Sequence, residues 1–453
     1  MGGKKIPGPR GTPVLGIIPE LKRDRLRFVL NMAKEYGDLV KYHVLNIPFY
    51  QVNHPDAIQY VLQDNNKNYH KGFETMPTLE TTLGKGLLTN EDAPWLRQRR
   101  LMSPVFHHRN IEAMGEMMTR RAIQLYETRW ADAEQTGTPL NIAAEMMSLT
   151  LDIVSEALFS AKISDKAKIV GDAVTVLVHD ATIRFDFPFY PPPHIPTPHN
   201  RAFRRAMREL DEIIYGIIAE RRAHPNGHHD LVQLLLDARD PEANDAPGEA
   251  MMSSQQLRDE LITLFLAGHE TTANLLAWTF YALSQNREME TRVREEIEQV
   301  LNGRTPTAND LPKLSYTRQV LEETLRLYPP AWMLTRKNLA DDELCGYNIP
   351  AHSFLAISPF AMHRNPAYWD EPETFDPERF SGERAKQYHR FVYFPFGGGP
   401  RLCIGKGFAQ VEAQLILATL LQRCQLSLAQ NARVQMEAMV TLRPKNGLWM
   451  KVS

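Results

Sequence analysis

Apolar residues recur along most of this chain with the period of an amphipathic helix. The periodicity is clear in residues 111–131, 141–159, 200–222 and 257–283, and residues 56–328 as a whole are predicted to be mainly helical. Shorter strand-like runs lie at residues 39–44 and 49–52. After residue 328 the pattern favours strands, then one more helix near residues 405–422 and final strands. We therefore predict a mainly α fold with a smaller β part.

Two stretches interrupt the helical pattern. Residues 185–198 contain six prolines and predict a loop, because each proline fixes φ and removes a backbone donor. Residues 240–249 are polar, with two prolines and a glycine, and predict an exposed linker. Neither stretch marks a shift in composition that forces a domain boundary. We therefore expect one unit over residues 1–453, which begins with an extended, proline-containing segment at residues 1–20.

Composition excludes some classes of protein. The 453 residues carry a net charge of −2, whereas a nucleic-acid-binding protein usually shows a basic excess, so we expect no nucleic acid partner. The most apolar run, residues 261–268, is far shorter than the ~20 residues that span a bilayer. Residues 1–6 lack the apolar segment of a signal peptide.

The three cysteines are Cys345, Cys403 and Cys424. They are far apart and odd in number, and no CxxC spacing occurs, which argues against a disulfide framework or a structural zinc site. For Cys345 and Cys424 we expect small, buried and unreactive side chains.

The segment around Cys403 carries the strongest chemical signal. Residues 397–399 are three consecutive glycines, which suit a tight turn and a close backbone approach rather than a helix or strand interior. A helix is predicted to begin just after Cys403, and its N-terminal amides should lower the pKa of that thiol. A plain glycine turn that leads into a core helix is the alternative.

Phe396, Gly399, Arg401, Cys403 and Gly405 together form the pattern Phe-x-x-Gly-x-Arg-x-Cys-x-Gly, which resembles the cytochrome P450 family. The resemblance implies the cytochrome P450 fold, with a haem between a long central helix and the cysteine-loop helix. It implies that Cys403 binds the iron as a thiolate, that Phe396 covers the sulfur and that Arg401 pairs with a haem propionate. No CxxCH motif is present, so the implied cofactor is non-covalent haem b.

Glu323 and Arg326 lie three residues apart and hence on one face of a predicted helix. Alone, the pair is typical of a surface ion pair that contributes little. The segment 363–380 resembles the family's meander, and it contains Arg379. The resemblance therefore implies a structural triad of Glu323, Arg326 and Arg379 behind the cysteine loop.

The central helix contains Ala267, Gly268, His269, Glu270 and Thr271, which match the family's pattern before and around its acid–threonine pair. The resemblance implies that Gly268 leaves room for O2, that Thr271 hydrogen-bonds to the dioxygen and that Glu270 relays protons. A mid-helix kink, with Thr271 bonded back to a carbonyl, is the alternative. His269 occupies a variable position of the pattern, and we expect it to pack rather than to bind iron.

Trp95 and Arg99 resemble the family's propionate-binding helix, and Arg336 follows two prolines at a similar spacing. With Arg401 they form the predicted set of propionate donors. Basic residues are also expected to form a positive face for an acidic redox partner, with a solvated charged surface as the alternative: Arg97, Arg100, Arg109 and Lys406.

By resemblance, the chain is a monooxygenase that inserts one oxygen atom from O2 into a lipophilic substrate. Electrons would come ultimately from NAD(P)H through a separate ferredoxin or flavoprotein reductase, since no reductase is fused. A peroxygenase or haem-dependent isomerase is the second hypothesis, and a non-catalytic haem sensor is the third. We expect a monomer, soluble and cytoplasmic, unless a membrane anchor once preceded the proline-rich start.

The substrate pocket is expected to be apolar, which leaves fatty-acid-like, terpenoid and steroid substrates open, with a lean to the first because the motifs resemble soluble fatty-acid hydroxylases. By resemblance to the family, the lining comprises residues 71–88 with Phe73 and Met76, residues 185–198 with Phe185, Phe187, Phe189 and Tyr190, and Leu264, Ala267, Ala331, Trp332, Met333, Met439 and Val440.

Overall fold

A computed structural model describes residues 5–72, 77–160, 167–186, 190–224, 230–243 and 250–453. Residues 73–76 and 187–189 of the predicted pocket lining, among them Phe73, Met76, Phe187 and Phe189, fall outside these ranges, as does the side chain of Phe185. The helices of the described residues are α1 (Ile18–Arg23), α2 (Arg25–Tyr36), α3 (Pro55–Gln59), α4 (Pro77–Leu83), α5 (Asp92–Met102), α6 (His108–Ala113), α7 (Gly115–Leu125), α8 (Ala131–Thr136), α9 (Ile142–Phe159), α10 (Ala167–Asp186), α11 (Pro198–Ala223), α12 (Leu231–Asp237), α13 (Ser254–Gln285), α14 (Arg287–Leu301), α15 (Ser315–Leu327), α16 (Pro359–Met362), α17 (Gly382–Ala385) and α18 (Lys406–Leu421).

The β part forms four small sheets in the described residues. The strands are β1 (Leu39–Val44), β2 (Ile47–Val52), β3 (Tyr69–His70), β4 (Leu140–Asn141), β5 (Leu334–Asn338), β6 (Asp342–Leu344), β7 (Tyr347–Ile349), β8 (Phe354–Ile357), β9 (Leu426–Leu428), β10 (Met436–Ala438), β11 (Leu442–Pro444) and β12 (Trp449–Val452). The largest sheet has the order β1-β2-β8-β5-β3, and only its β2–β8 pair is parallel. β10 and β11 form a separate antiparallel hairpin.

Helix α13 runs through the centre of the helical part. It begins at Ser253, whose side chain accepts a hydrogen bond from the amide of Gln256, a preferred N-cap arrangement. The helix is buried on nearly all sides, as expected of a helix surrounded by others, and it packs against α9, α11, α15 and α18. Because α18 starts three residues after Cys403, this packing joins the cysteine loop to the central helix.

The predicted elements agree with the structure except at their interruptions. The strand at 39–44 and the helices at 141–159, 200–222, 257–283 and 405–422 are confirmed within a few residues. The predicted helix at 111–131 is instead divided into α6, α7, a π-helical segment (Tyr126–Trp130) and the start of α8. One break falls at Gly115, where an added Cβ would lie 3.3 Å from Leu415 Cδ1 and 3.4 Å from Ala308 Cβ, so close packing requires a residue that weakens the helix.

Two expectations on cysteines and membranes can be compared with the fold. Cys424 is buried, as predicted, but Cys345 is exposed, because it lies in the turn between β6 and β7 with a φ of 52°. Among the described residues, no helix combines the length and the apolar character needed to cross a bilayer.

Candidate active site around the cysteine loop

The three glycines before Cys403 bring the loop against two other parts of the chain. An added Cβ at Gly398 would lie 2.4 Å from Phe391 Cε1, and one at Gly399 would lie 1.9 Å from the Leu62 carbonyl oxygen. Gly399 also has a φ of +65°, which disfavours other residues. The loop then folds back, since the amide of Cys403 donates to the carbonyl of Phe396 at 3.0 Å. The predicted tight turn and close approach are confirmed.

The thiol of Cys403 is surrounded by protein yet remains reachable. Cys403 is exposed, whereas most of α18, the helix that follows it, is buried. Burial raises the pKa of Cys403, while the amides of Gly405 and Lys406 and the charges of Arg99 and Lys406 act to lower it. The predicted lowering of this pKa is therefore wrong for the protein alone, because loss of hydration outweighs the helix N-terminus.

The predicted triad lies behind this loop and is buried. Arg326 Nε and Nη2 donate to the two carboxylate oxygens of Glu323 at 2.7 Å each, and Arg379 Nε lies 3.5 Å from Glu323 Oε1. All three residues are buried, so the surface ion pair is excluded. Arg326 also donates to the carbonyls of Pro372 and Thr374 at 2.6 and 3.0 Å, which fixes the meander segment.

His363, which the sequence placed only within the meander, connects the triad to the cysteine loop. Its Nδ1 lies 3.2 Å from the Arg326 carbonyl, and its Nε2 accepts a hydrogen bond from the amide of Phe394 at 3.0 Å. Burial lowers the pKa of His363 to about 3, with a further lowering by Arg326. The ring is therefore neutral, and it carries its proton on Nδ1 because Nε2 is an acceptor.

The centre of α13 has one accessible face. Between residues 257 and 283 most residues are buried. The exceptions are Leu264, Leu266, Ala267, Gly268, Thr271 and Tyr281, of which residues 264, 267, 268 and 271 lie at helical spacing. Ala267 is exposed, and Thr271 Oγ1 donates to the Ala267 carbonyl at 2.9 Å. The hydroxyl of Thr271 is thus bonded within its own helix, as the alternative stated, but it lies on the accessible face.

Gly268 has a packing role in this structure. An added Cβ would lie 3.2 Å from Val154 Cγ2, so the missing side chain of Gly268 lets α13 approach α9. Room for O2 at this glycine stays a prediction.

His269 and Glu270 point into the protein. His269 is buried, its Nδ1 lies 2.9 Å from the Phe265 carbonyl, and burial lowers its pKa, all of which suits the expected packing role. Glu270 is 7% exposed, and its Oε1 accepts a hydrogen bond from Thr441 Oγ1 at 2.6 Å. Thr441 was not found by the sequence reasoning.

A cationic cluster gathers three of the four predicted propionate donors. The guanidinium of Arg401 lies 4.6 Å from the ring centre of Trp95 and pairs with Glu91, while its Nη1 is buried without a hydrogen-bond partner. Burial and the charge of Arg401 lower the pKa of Arg336 to about 10. Buried positive charges without enough acceptors fit an anionic group such as a carboxylate.

Two further cations border this cluster. Lys71 was not predicted as a donor, but it is buried, its Nζ donates to the carbonyls of Leu87 and Asn90 at 3.2 and 2.6 Å, and burial lowers its pKa to about 7. Arg99 is the fourth predicted donor. Burial lowers the pKa of Arg99, and the nearby charge of Cys403 acts to raise it.

Glu412 is a buried acid that the sequence reasoning missed. It lies on α18, and neither carboxylate oxygen has a hydrogen-bond partner among the residues that the structure describes. The nearby Thr272 hydroxyl acts to lower its pKa, but burial dominates and raises it to about 8, so the carboxyl is protonated at neutral pH. Its position among apolar residues of α18 gave no distinct signal in the sequence.

Half of the predicted basic face is occupied by acids of the linker. Arg100 donates to both carboxylate oxygens of Asp240 at 3.0 Å and pairs with Glu242 at 2.9 Å. Arg97 lies 3.6 Å from the same Asp240. Arg109 and Lys406 are exposed, as predicted. Asp240 binds both side chains and so offsets part of their positive charge, and their place in this face stays a prediction.

Comparison with known proteins identifies the family of this chain. The cytochrome P450 family model matches residues 6–450. The chain belongs to the cytochrome P450 family. Cyclooctatin synthase of Streptomyces melanosporofaciens is 36% identical over 417 residues, which cover 92% of this chain and 88% of that protein. Pentalenene oxygenase of Streptomyces avermitilis is 32% identical, over 96% of this chain and 94% of that protein.

Among solved structures, the haem domain of cytochrome P450DA superposes with a TM-score of 0.88 at 26% identity, covering 100% of this chain and 98% of the other. The predicted cytochrome P450 fold is thereby confirmed. Membership makes this P450 an oxidoreductase of the monooxygenase class, and it implies a haem iron, a redox partner and a small-molecule substrate.

Proposed function

We propose that this P450 is a haem-thiolate monooxygenase with Cys403 as the iron ligand. The observation that carries the proposal is an accessible thiol with the Gly405 and Lys406 amides beside it, in a fold whose central helix keeps one accessible face. When bound, the haem iron supplies the activation of O2. Cys403 would bind it, and the two amides would stabilise charge on the sulfur.

The donor set fits the two carboxylates of non-covalent haem b. Arg401 offers a buried nitrogen without a partner, and Arg336 and Trp95 lie beside it. We propose that these three residues, with Lys71 as an additional cation, would bind the propionates. Arg99 would lie nearer the sulfur of Cys403. Phe396, partly buried in the core, would cover the sulfur.

On the opposite side, Thr271 and Glu270 would deliver protons. The hydroxyl of Thr271 lies on the accessible face of α13 and can turn from the Ala267 carbonyl toward a bound oxygen. Glu270, buried one residue earlier, would supply protons to that face as a general acid. Ala267 presents a small side chain on that face, and Gly268, whose missing Cβ lets α13 approach α9, carries none.

The relatives favour a ring-containing substrate over a fatty-acid-like one. Pentalenene oxygenase is named for pentalenene, and a further relative from Streptomyces melanosporofaciens, 36% identical, is named cyclooctat-9-en-7-ol 5-monooxygenase. We therefore propose a lipophilic, ring-containing substrate of the terpenoid class. Leu264 and Ala267 on the accessible face of α13 suit such a molecule, since binding of an apolar ligand depends on buried area.

The electron donor would be a separate ferredoxin or flavoprotein, with electrons ultimately from NAD(P)H. Arg109 and Lys406 are exposed, and α6 packs on the start of α18, where a Cβ at Gly407 would lie 3.3 Å from Ile111 Cδ1. Positive charge near the cysteine loop would attract an acidic partner.

The test is the carbon monoxide difference spectrum of the reduced holoprotein. We expect the red-shifted Soret band of a thiolate ligand, its loss in Cys403→Ala, and its retention in the matched variants Cys345→Ala and Cys424→Ala. A thiolate band that survives Cys403→Ala would refute the ligand. Turnover driven by peroxide but not by a reduced ferredoxin and O2 would favour a peroxygenase instead.

A further inference from the structure

The hairpin of β10 and β11 reaches the central helix from the far end of the chain. The indole Nε1 of Trp332 donates to the Met439 carbonyl at 2.8 Å, and the indole Nε1 of Trp278 donates to the Leu442 carbonyl at 3.2 Å. The amide of Leu442 donates to the Pro330 carbonyl at 3.0 Å. These three bonds fix the backbone on either side of Thr441.

The side chain of Thr441 is fixed as well. Its hydroxyl accepts a hydrogen bond from Asn274 Nδ2 at 3.0 Å and donates to Glu270 Oε1 at 2.6 Å. Asn274 lies one helical turn after Glu270, and all three residues are buried. The hydroxyl oxygen of Thr441 accepts a hydrogen bond from the Asn274 amide. The hydroxyl proton of Thr441 therefore points toward Glu270.

We infer that Thr441 is a positioning residue, which holds the carboxylate of Glu270 in the orientation from which it supplies protons to the accessible face of α13. This inference rests on the proposed function of Glu270. A buried carboxylate without such a donor is costly, and its side chain would adopt other rotamers to find one. Asn274 orients the hydroxyl of Thr441 in turn.

The experiment uses the haem-loaded protein with O2, NADPH and an added ferredoxin and its reductase, and it needs no organic substrate. The readout is peroxide released per NADPH consumed, since oxygen that is not supplied with protons for bond cleavage leaves as peroxide. Thr441→Val should raise this ratio at least about threefold, a threshold below the roughly tenfold effect expected for one lost hydrogen bond to a charged group. Thr441→Ser should restore it. Thr279→Val removes a buried threonine hydroxyl from the same central helix and should leave the ratio unchanged.

A double-mutant cycle separates a positioning role from a merely structural one. If Thr441 acts through Glu270, Thr441→Val should add nothing in the Glu270→Gln background, and the melting temperatures of the four proteins should also be non-additive. A Thr441→Val effect that persists in full beside Glu270→Gln would overturn the inference.

Two outcomes distinguish this inference from the proposed function. An altered ratio in Glu270→Gln with a normal ratio in Thr441→Val overturns the role of Thr441 alone. A normal ratio in Glu270→Gln overturns both. Should Thr441→Val fail to bind haem, Asn274→Ala takes its place, because it leaves the hydroxyl without its orienting donor. A normal ratio in that variant contradicts the inference.

Discussion

The cysteine loop and the acid of the central helix are held in place in very different ways. Behind the loop, Arg326 makes five hydrogen bonds, two to Glu323 and three to backbone carbonyls, and His363 carries that support to Phe394. Within the described part of the chain, Glu270 has one side-chain hydrogen bond, from Thr441. A ligand that must stay at one distance from a metal needs a rigid frame, whereas a group that passes protons must be able to exchange its partners.

The largest effect is expected from breaking the buried hydrogen-bond network around Arg326. Arg326→Leu would leave the buried carboxylate of Glu323 without its main partner, and loss of one member of a buried pair costs about 3–5 kcal/mol. Urea unfolding followed by tryptophan fluorescence measures the change. Arg205→Leu removes an exposed i, i+4 pair with Glu209 and should hardly alter the midpoint. An Arg326→Leu protein as stable as the wild type would show that the hydrogen bonds of Arg326 do not contribute to the stability of the fold.

The second prediction concerns how the stability of the fold depends on pH. The pKa of His363 is lowered to about 3, so the folded state stays neutral while the unfolded state takes up a proton below about pH 6.5. Stability is therefore unaffected by this group above pH 6.5 and is lost as pH falls toward 3, with a slope of about 1.4 kcal/mol per pH unit for one proton.

His363→Gln should remove that contribution to the slope, measured by urea unfolding between pH 7 and pH 4. Glutamine keeps an acceptor and a donor without titrating, whereas His107→Gln, at an exposed histidine, should leave the slope as it is. Identical slopes in His363→Gln and the wild type would rule out His363 as a source of acid sensitivity.

The smallest effect concerns the accessible face of α13. Thr271→Ala removes the hydroxyl that lies there and should raise peroxide release per NADPH by roughly threefold, the scale of one lost hydrogen bond. Thr271→Ser should behave like the wild type. The spectrum with carbon monoxide and the melting temperature should stay unchanged, because the hydroxyl bonds only to its own helix. Unchanged peroxide release would remove Thr271 from proton delivery.

Much of the site could be predicted because its signals are local. The glycines, Phe396, Arg401 and Cys403 lie within eight residues, and the turn they form depends on backbone freedom that a sequence displays directly. Glu323 and Arg326 share one helical face by their spacing alone. The helices α9 and α13 and the strand β1 follow from periodicity in the same way.

Most of the errors and omissions involve partners that are distant in the chain. The direction of the Cys403 pKa depends on how much water the folded protein removes from the sulfur. Asp240 binds Arg97 and Arg100 from 140 or more positions away, and Lys71 owes its lowered pKa to burial beneath residues 87–90. Cys345 is exposed because its turn projects from β6 and β7.

The sequence by itself determined the family, the iron ligand to test, the triad and the acid–threonine pair, because each rests on residues at fixed short spacing. Only the tertiary structure decided that Gly268 faces Val154, that His363 links the triad to the loop and that Thr441 holds Glu270. Residues 270 and 441 are 171 positions apart, and no local pattern encodes a contact that forms only when the C-terminal hairpin packs against the central helix.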